Sequence, residues 1–220
     1  MEKDKYENSI YKVKGGLIRI GIMGGTFNPI HHGHLVTAQE ALSQFNLDQV
    51  IFIPASDPPH KVTSEIASAE DRYLMTVIAT APNNDFVVSR VEIDRQGKSY
   101  TIDTVRKLRE IYGEKVSLFF ITGADAILEI LSWKDTEEII SLAKFIAATR
   151  PGYNLAKIDD LKEKLFNDKQ DGDKKIFVME VPALAISSTD IRNRIKQNRP
   201  IDYLVPEGIS HYILKHGLYK

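Results

Sequence analysis

His31, His32 and His34 lie within four residues of one another, with Gly33 between the last two, and a glycine pair, Gly24-Gly25, stands just upstream. An apolar run, Leu17–Met23, broken by Arg19 and Gly21, leads into the glycines. After the histidines come Leu35, Ala38, Leu42 and Phe45, which is helical spacing. The segment therefore predicts a strand, a glycine turn and a helix start. An α/β protein can hold a phosphate there, because the first amides of a helix lack partners and its dipole favours negative charge. Gly24 and Gly25 would let the backbone approach a ligand, and Gly33 would leave room for it. His31 and His34 would supply two nitrogen donors. The alternative is a metal site, but no carboxylate lies nearby and zinc sites draw ligands from separated segments. No metal ligand is assigned, and His32 is read as structural.

Other segments hold residues suited to a nucleotide. In Ile186-Ser187-Ser188-Thr189-Asp190-Ile191-Arg192, Ser187 and Asp190 have capping-box spacing, with Arg192 one turn into the helix. Pro58-Pro59-His60-Lys61 is a stiff loop with charge. Asp71 and Arg72 read equally as a surface pair at a helix start. Gly123 and Asp125 follow a buried strand, where an acid suits a ribose hydroxyl or caps a helix. Trp133, the single tryptophan, is a core residue by default. Arg150-Pro151-Gly152 closes an apolar run and could be a plain turn.

The elements that must position these residues alternate. Strand-like runs are Leu17–Met23, Gln49–Ile53, Phe86–Val88, Val116–Ile121, Phe145–Ala148 and Ile176–Val181. Helical patterns are Leu35–Phe45, Asp71–Ala81, Ile102–Tyr112, Thr136–Leu142 and Ile158–Leu165, followed by Thr189–Lys196 and Glu207–His216. This predicts an α/β protein: a Rossmann-like, doubly wound parallel sheet with a helical C-terminal part. Ligands of such sheets bind beyond the carboxyl ends of the strands, where the histidine segment falls. Neither GxGxxG nor GxxxxGK[ST] is present. Asn167–Lys175 is the most loop-like segment.

With 220 residues the expectation is one domain, residues 17–220, after a flexible extension at 1–16. A net charge of −1 gives no basic field for nucleic acid, and no apolar run is long enough to span a bilayer. The absence of cysteine removes disulfides and thiolate chemistry and fits the cytoplasm. Oligomeric state stays open, a homo-oligomer included.

The segment Gly24–His34 resembles the HxGH signature of the nucleotidylyltransferase superfamily, with His31, Gly33 and His34 at its fixed positions. Its wider GGTFNPxHxGH form is similar to that of bacterial nicotinate mononucleotide adenylyltransferases, and ISSTxIR resembles their second signature. PPHK, Asp71-Arg72-Tyr73, and Ser99-Tyr100-Thr101 with Asp103 also resemble this branch. The resemblance runs from Leu17 to Lys220; the first sixteen residues have no counterpart. Asn28 stands where the wider superfamily has aspartate, as is usual in the branch.

The resemblance implies adenylyl transfer from ATP to nicotinate mononucleotide, with Mg²⁺ accompanying ATP. It implies catalytic roles for His31, His34 and Arg192. ATP would lie on Gly24, Gly25, Thr26, Phe27, Gly33, Gly123, Asp125, Arg150, Ser188 and Thr189. The mononucleotide would lie on Asn28, Lys61, Thr101, Trp133 and Lys134, with Trp133 on the pyridine ring. The rivals are another superfamily transferase, using phosphopantetheine or nicotinamide mononucleotide, and a nucleotide-binding module without catalysis. A class I synthetase fragment is disfavoured by the lack of a tRNA-binding extension.

Overall fold

The structure, a computed structural model, describes residues 18–58, 66–95, 97–166 and 169–220. Six parallel strands form one sheet: β1 (Ile18–Gly25), β2 (Gln49–Pro54), β3 (Phe86–Val88), β4 (Val116–Gly123), β5 (Lys144–Thr149) and β6 (Ile176–Glu180). Their order is β3-β2-β1-β4-β5-β6, so the winding reverses between β1 and β4. The helices are α1 (His32–Gln44), α2 (Ala69–Thr80), α3 (Thr101–Tyr112), α4 (Ala124–Leu128), α5 (Thr136–Leu142), α6 (Ala156–Leu165), α7 (Lys169–Lys175), α8 (Ser188–Lys196) and α9 (Glu207–His216).

Strand side chains alternate between two cores, as the period of two requires. Ile20, Ile51, Leu118 and Phe145 face one core with Val105 of α3, Ile139 of α5 and Ile158 of α6. Val50, Phe119, Ile121 and Ile146 face the other with Ala38 of α1, Met75 of α2, Ile191 of α8 and Ile209 of α9. A sheet covered on both faces needs near-continuous apolar strands, and these strands provide them. Its ligand edge is then the carboxyl end, where β1 stops at Gly25 and β4 at Gly123.

Two sequence expectations are corrected here. Gly24 and Gly25 are the last residues of β1, paired with Ile53 and Pro54, and the turn comes later, at Asn28-Pro29. Residues 169–175, read as loop from their polarity, form α7; a helix can be this polar when its packing neighbour is another surface helix, here α6. Among the described residues no helix is long and apolar enough to cross a membrane.

Candidate active site

The histidine segment starts α1. His31 is the N-cap, in extended backbone, and its N–H donates to His34 Nδ1 at 3.2 Å. An Nδ1 that accepts carries no hydrogen, so the proton of the His34 ring sits on Nε2 and makes it a donor. The two rings lie 3.8 Å apart between centroids, tilted by 31°. His31 is 6% exposed, and burial, aided by the nearby His32, pushes its pKa down from 6.5 to about 4. It is therefore neutral at physiological pH. Its Nδ1 is buried with no hydrogen-bond partner among the described residues.

Packing explains the residues between. A Cβ on Gly33 would stand 3.0 Å from His31 Cε1 and Nδ1. The missing side chain thus makes room for the His31 ring, and Gly33 also lines the cavity described below. Phe27 is buried, with a left-handed φ of 48°, and its ring meets His34 edge-on at 5.1 Å. A Cβ on Gly25 would come within 2.9 Å of that ring. Phe27 therefore buttresses His34 from the core side.

A cavity of about 330 Å³ opens at the carboxyl ends of β1, β4 and β5. It brings together Gly24, His31, Gly33, His34, Gly123 and Arg150. Its other walls include Thr37, Thr122, Pro182, Leu184 and Ile186. Among the described residues no carboxylate lines it. Arg150 begins a turn through Gly152, whose φ is 79°. Asp125 stands just outside, in the first turn of α4, and accepts from the Tyr153 hydroxyl at 3.2 Å; the N-cap of α4 is Gly123.

The second constellation docks on the first from outside. Ser187 caps α8 by accepting from the Asp190 N–H at 3.1 Å. Ser188 Oγ donates to the Pro29 carbonyl at 2.8 Å, and Arg192 donates to the Asn28 carbonyl at 2.9 Å and to Thr189 Oγ1 at 3.4 Å. The structure thus joins both motifs through the 26–30 loop, but Arg192 lines a separate cavity, with Tyr219, Lys196 and Ala67. Asn28 is buried, its Oδ1 accepting from the Ala67 N–H and the Tyr219 hydroxyl.

A third group gathers beside the sheet. Trp133 is half-buried and meets Phe120 edge-on at 5.9 Å. Lys134 Nζ lies 5.0 Å from the centre of the Tyr100 ring. Tyr100 is the N-cap of α3, with no side-chain cap, and Thr101 is its first residue. The contact of Lys134 with Tyr100 brings the 133–134 segment to the start of α3, where Thr101 stands. Lys61 and His60 lie outside the described residues.

The cytidylyltransferase-like family model matches residues 22–194. Over 203 residues the chain is 54% identical to the "Probable nicotinate-nucleotide adenylyltransferase" of Thermoanaerobacter sp. (strain X514), covering 92% of this chain and 95% of the relative. Over 202 residues it is 55% identical to the protein of that name from Moorella thermoacetica, covering 92% of each. The chain belongs to the nicotinate-nucleotide adenylyltransferase family. Its fold is similar to that of "Plasmodium falciparum nicotinic acid mononucleotide adenylyltransferase complexed with NaAD", with a TM-score of 0.70 at 21% identity, over 92% of this chain and 97% of that one.

Two residues that brace this candidate site are misplaced or missed in a reading of the sequence. Arg72 is a core residue and not half of a surface pair. It is 1% exposed and donates to the carbonyls of Ala67, Thr26, Ala55 and Ser56 at 2.6–3.0 Å. Its signal was available: Arg72 lies on one helical stripe with Met75, Thr76 and Ala79. Tyr219 carried no signal, being a lone aromatic after the last helix.

Proposed function

We propose that the chain transfers the adenylyl group of ATP to nicotinate mononucleotide, giving nicotinate adenine dinucleotide and pyrophosphate. The observation that carries this is the pair of neighbour-braced histidines on a carboxylate-free cavity at the β1/β4 reversal, in a member of this family. An oxygen of the mononucleotide phosphate attacks the α-phosphorus of ATP as the bond to the β-phosphate oxygen breaks. That phosphate is already ionised at neutral pH, so no general base is needed. Catalysis is then positioning plus stabilisation of developing charge. His34 Nε2–H donates to an α-phosphate oxygen, and the neutral His31 ring packs against it. Gly24, Gly123 and Arg150 line the ATP side. Ser188, Thr189 and Arg192 hold the end that leaves as pyrophosphate, and Asp125 takes a ribose hydroxyl.

Among the described residues no group of three His, Asp or Glu side chains could hold a metal. Mg²⁺ would therefore arrive on the phosphates of ATP, with oxygen ligands from nucleotide and water. The uncapped amides at Thr101 would read the nicotinate carboxylate, and Trp133 would stack on the pyridine ring, with Lys134 alongside. The setting fits the cytoplasm, given a chain without cysteine. Pyrophosphate release with ATP and Mg²⁺, run in parallel with nicotinate and nicotinamide mononucleotides, tests this. A strong preference for the acid supports activity and specificity together. Preference for the amide overturns the carboxylate pocket, and release with neither overturns the reaction.

A further inference from the structure

Asn28 is a node at which three remote segments meet. Its main-chain oxygen accepts from Arg192 at 2.9 Å. Its side-chain Oδ1 accepts two hydrogen bonds, from the Ala67 N–H at 3.0 Å and from the Tyr219 hydroxyl at 2.8 Å. Both donors bind the same oxygen, so they also decide which way the carboxamide faces. Tyr219 is held for this task. The chain leaves α9 through Gly217 in left-handed backbone, and Tyr219 itself has a φ of 66°. Non-glycine residues adopt that conformation at a cost, and it persists only where the surroundings enforce it. Here it turns the phenol inward, onto the cavity wall shared with Arg192. The charges around the phenol come from Arg192, Arg72 and Asp71.

We propose that Tyr219 is a positioning residue for adenylyl transfer: its hydroxyl locks Asn28, and Asn28 in turn sets the 26–30 loop and the guanidinium of Arg192. The hydroxyl of Tyr219 is taken up by Asn28, so the residue acts by positioning. Its contribution passes through Asn28, and for ATP it is expected in turnover rather than in KM. This rests on the proposed reaction, which the parent protein's own rate checks first.

The test is Tyr219→Phe, which removes one oxygen and keeps the ring. The expected result is a kcat lowered by roughly threefold to tenfold, the scale of one lost hydrogen bond, with KM for ATP within about twofold of the parent. In an Asn28→Ala background the same change should have no further effect, because its route is gone. An unchanged kcat, or an equal loss in both backgrounds, overturns the proposal. Amide exchange gives a readout independent of activity. Tyr219→Phe should speed exchange in residues 26–31 and leave β4 unchanged, whether or not Asn28→Ala folds. Uniform acceleration, or none, also overturns it. A parent that releases no pyrophosphate but shows the local exchange change sinks the reaction and keeps Tyr219 as the lock on Asn28.

Discussion

The orientation of the His34 ring is set by its neighbours, and its tautomer by one hydrogen bond. Because Nδ1 takes the His31 N–H, the neutral ring carries its proton on Nε2 and has an N–H to offer there. His34→Ala should lower kcat by roughly a hundredfold, the scale for one preorganised donor to a developing oxyanion. Steady-state turnover at saturating substrates measures it, and an unchanged kcat would remove the role. His31 makes a different prediction, in stability. Its pKa is about 4 in the fold against 6.5 when unperturbed, so the unfolded chain takes up a proton first as pH falls. The associated stability is complete above about pH 6.5 and lost as pH drops towards 4, amounting to about 3 kcal/mol. Urea unfolding of the parent and of His31→Asn between pH 7 and 4 should show a shallower loss in the variant; parallel curves would contradict the burial argument. The types and spacing of His31, Gly33 and His34 were legible in the sequence because chemistry constrains them within four positions. Why Gly33 must be glycine was not legible. The clash it avoids is with a ring two residues away, which becomes near only once the N-cap folds.

At the scale of elements, the strands and long helices announce themselves through period and apolarity, and α5 and α9 keep the bounds that their patterns suggest. The pieces left open or misread are short or polar: α4, where a capped helix was one of two readings, spans five residues, and α7, read as loop, has no apolar side chain. Neither has a stripe from which periodicity could be read. Arg72 shows how elements are fastened where the ligand edge lacks regular pairing. One guanidinium of α2 satisfies carbonyls that follow β1 and β2, replacing the ladder that stops there. A lysine cannot reproduce that planar fork. Arg72→Lys should therefore cost about 2–4 kcal/mol in urea unfolding, since it leaves buried carbonyls unmatched. A change within error of the parent would show that water replaces the arginine without penalty.

The molecule as a whole keeps its chemistry within the sheet and the helices that clothe it. The family model begins at residue 22, inside β1. Deleting residues 1–16 should leave turnover within about twofold and the melting temperature within a few degrees. A larger loss in either would assign the segment a part in the fold or the site. The site was legible as a list of motifs but not as an assembly, because its joints span great sequence distances: Ser188 reaches Pro29 across 159 positions, and Tyr219 reaches Asn28 across 191. That separation sets a timetable for biosynthesis. The loop that leads into His31 and His34 is made early, yet one of its braces is residue 219. A chain ending after β6 has every described strand, and Arg72 and Ala67 already hold the 26–30 loop, but it lacks the bonds from Ser188, Arg192 and Tyr219. On the role proposed for Tyr219, forming the sheet and fixing the loop before His31 are therefore separate events in the growth of the chain.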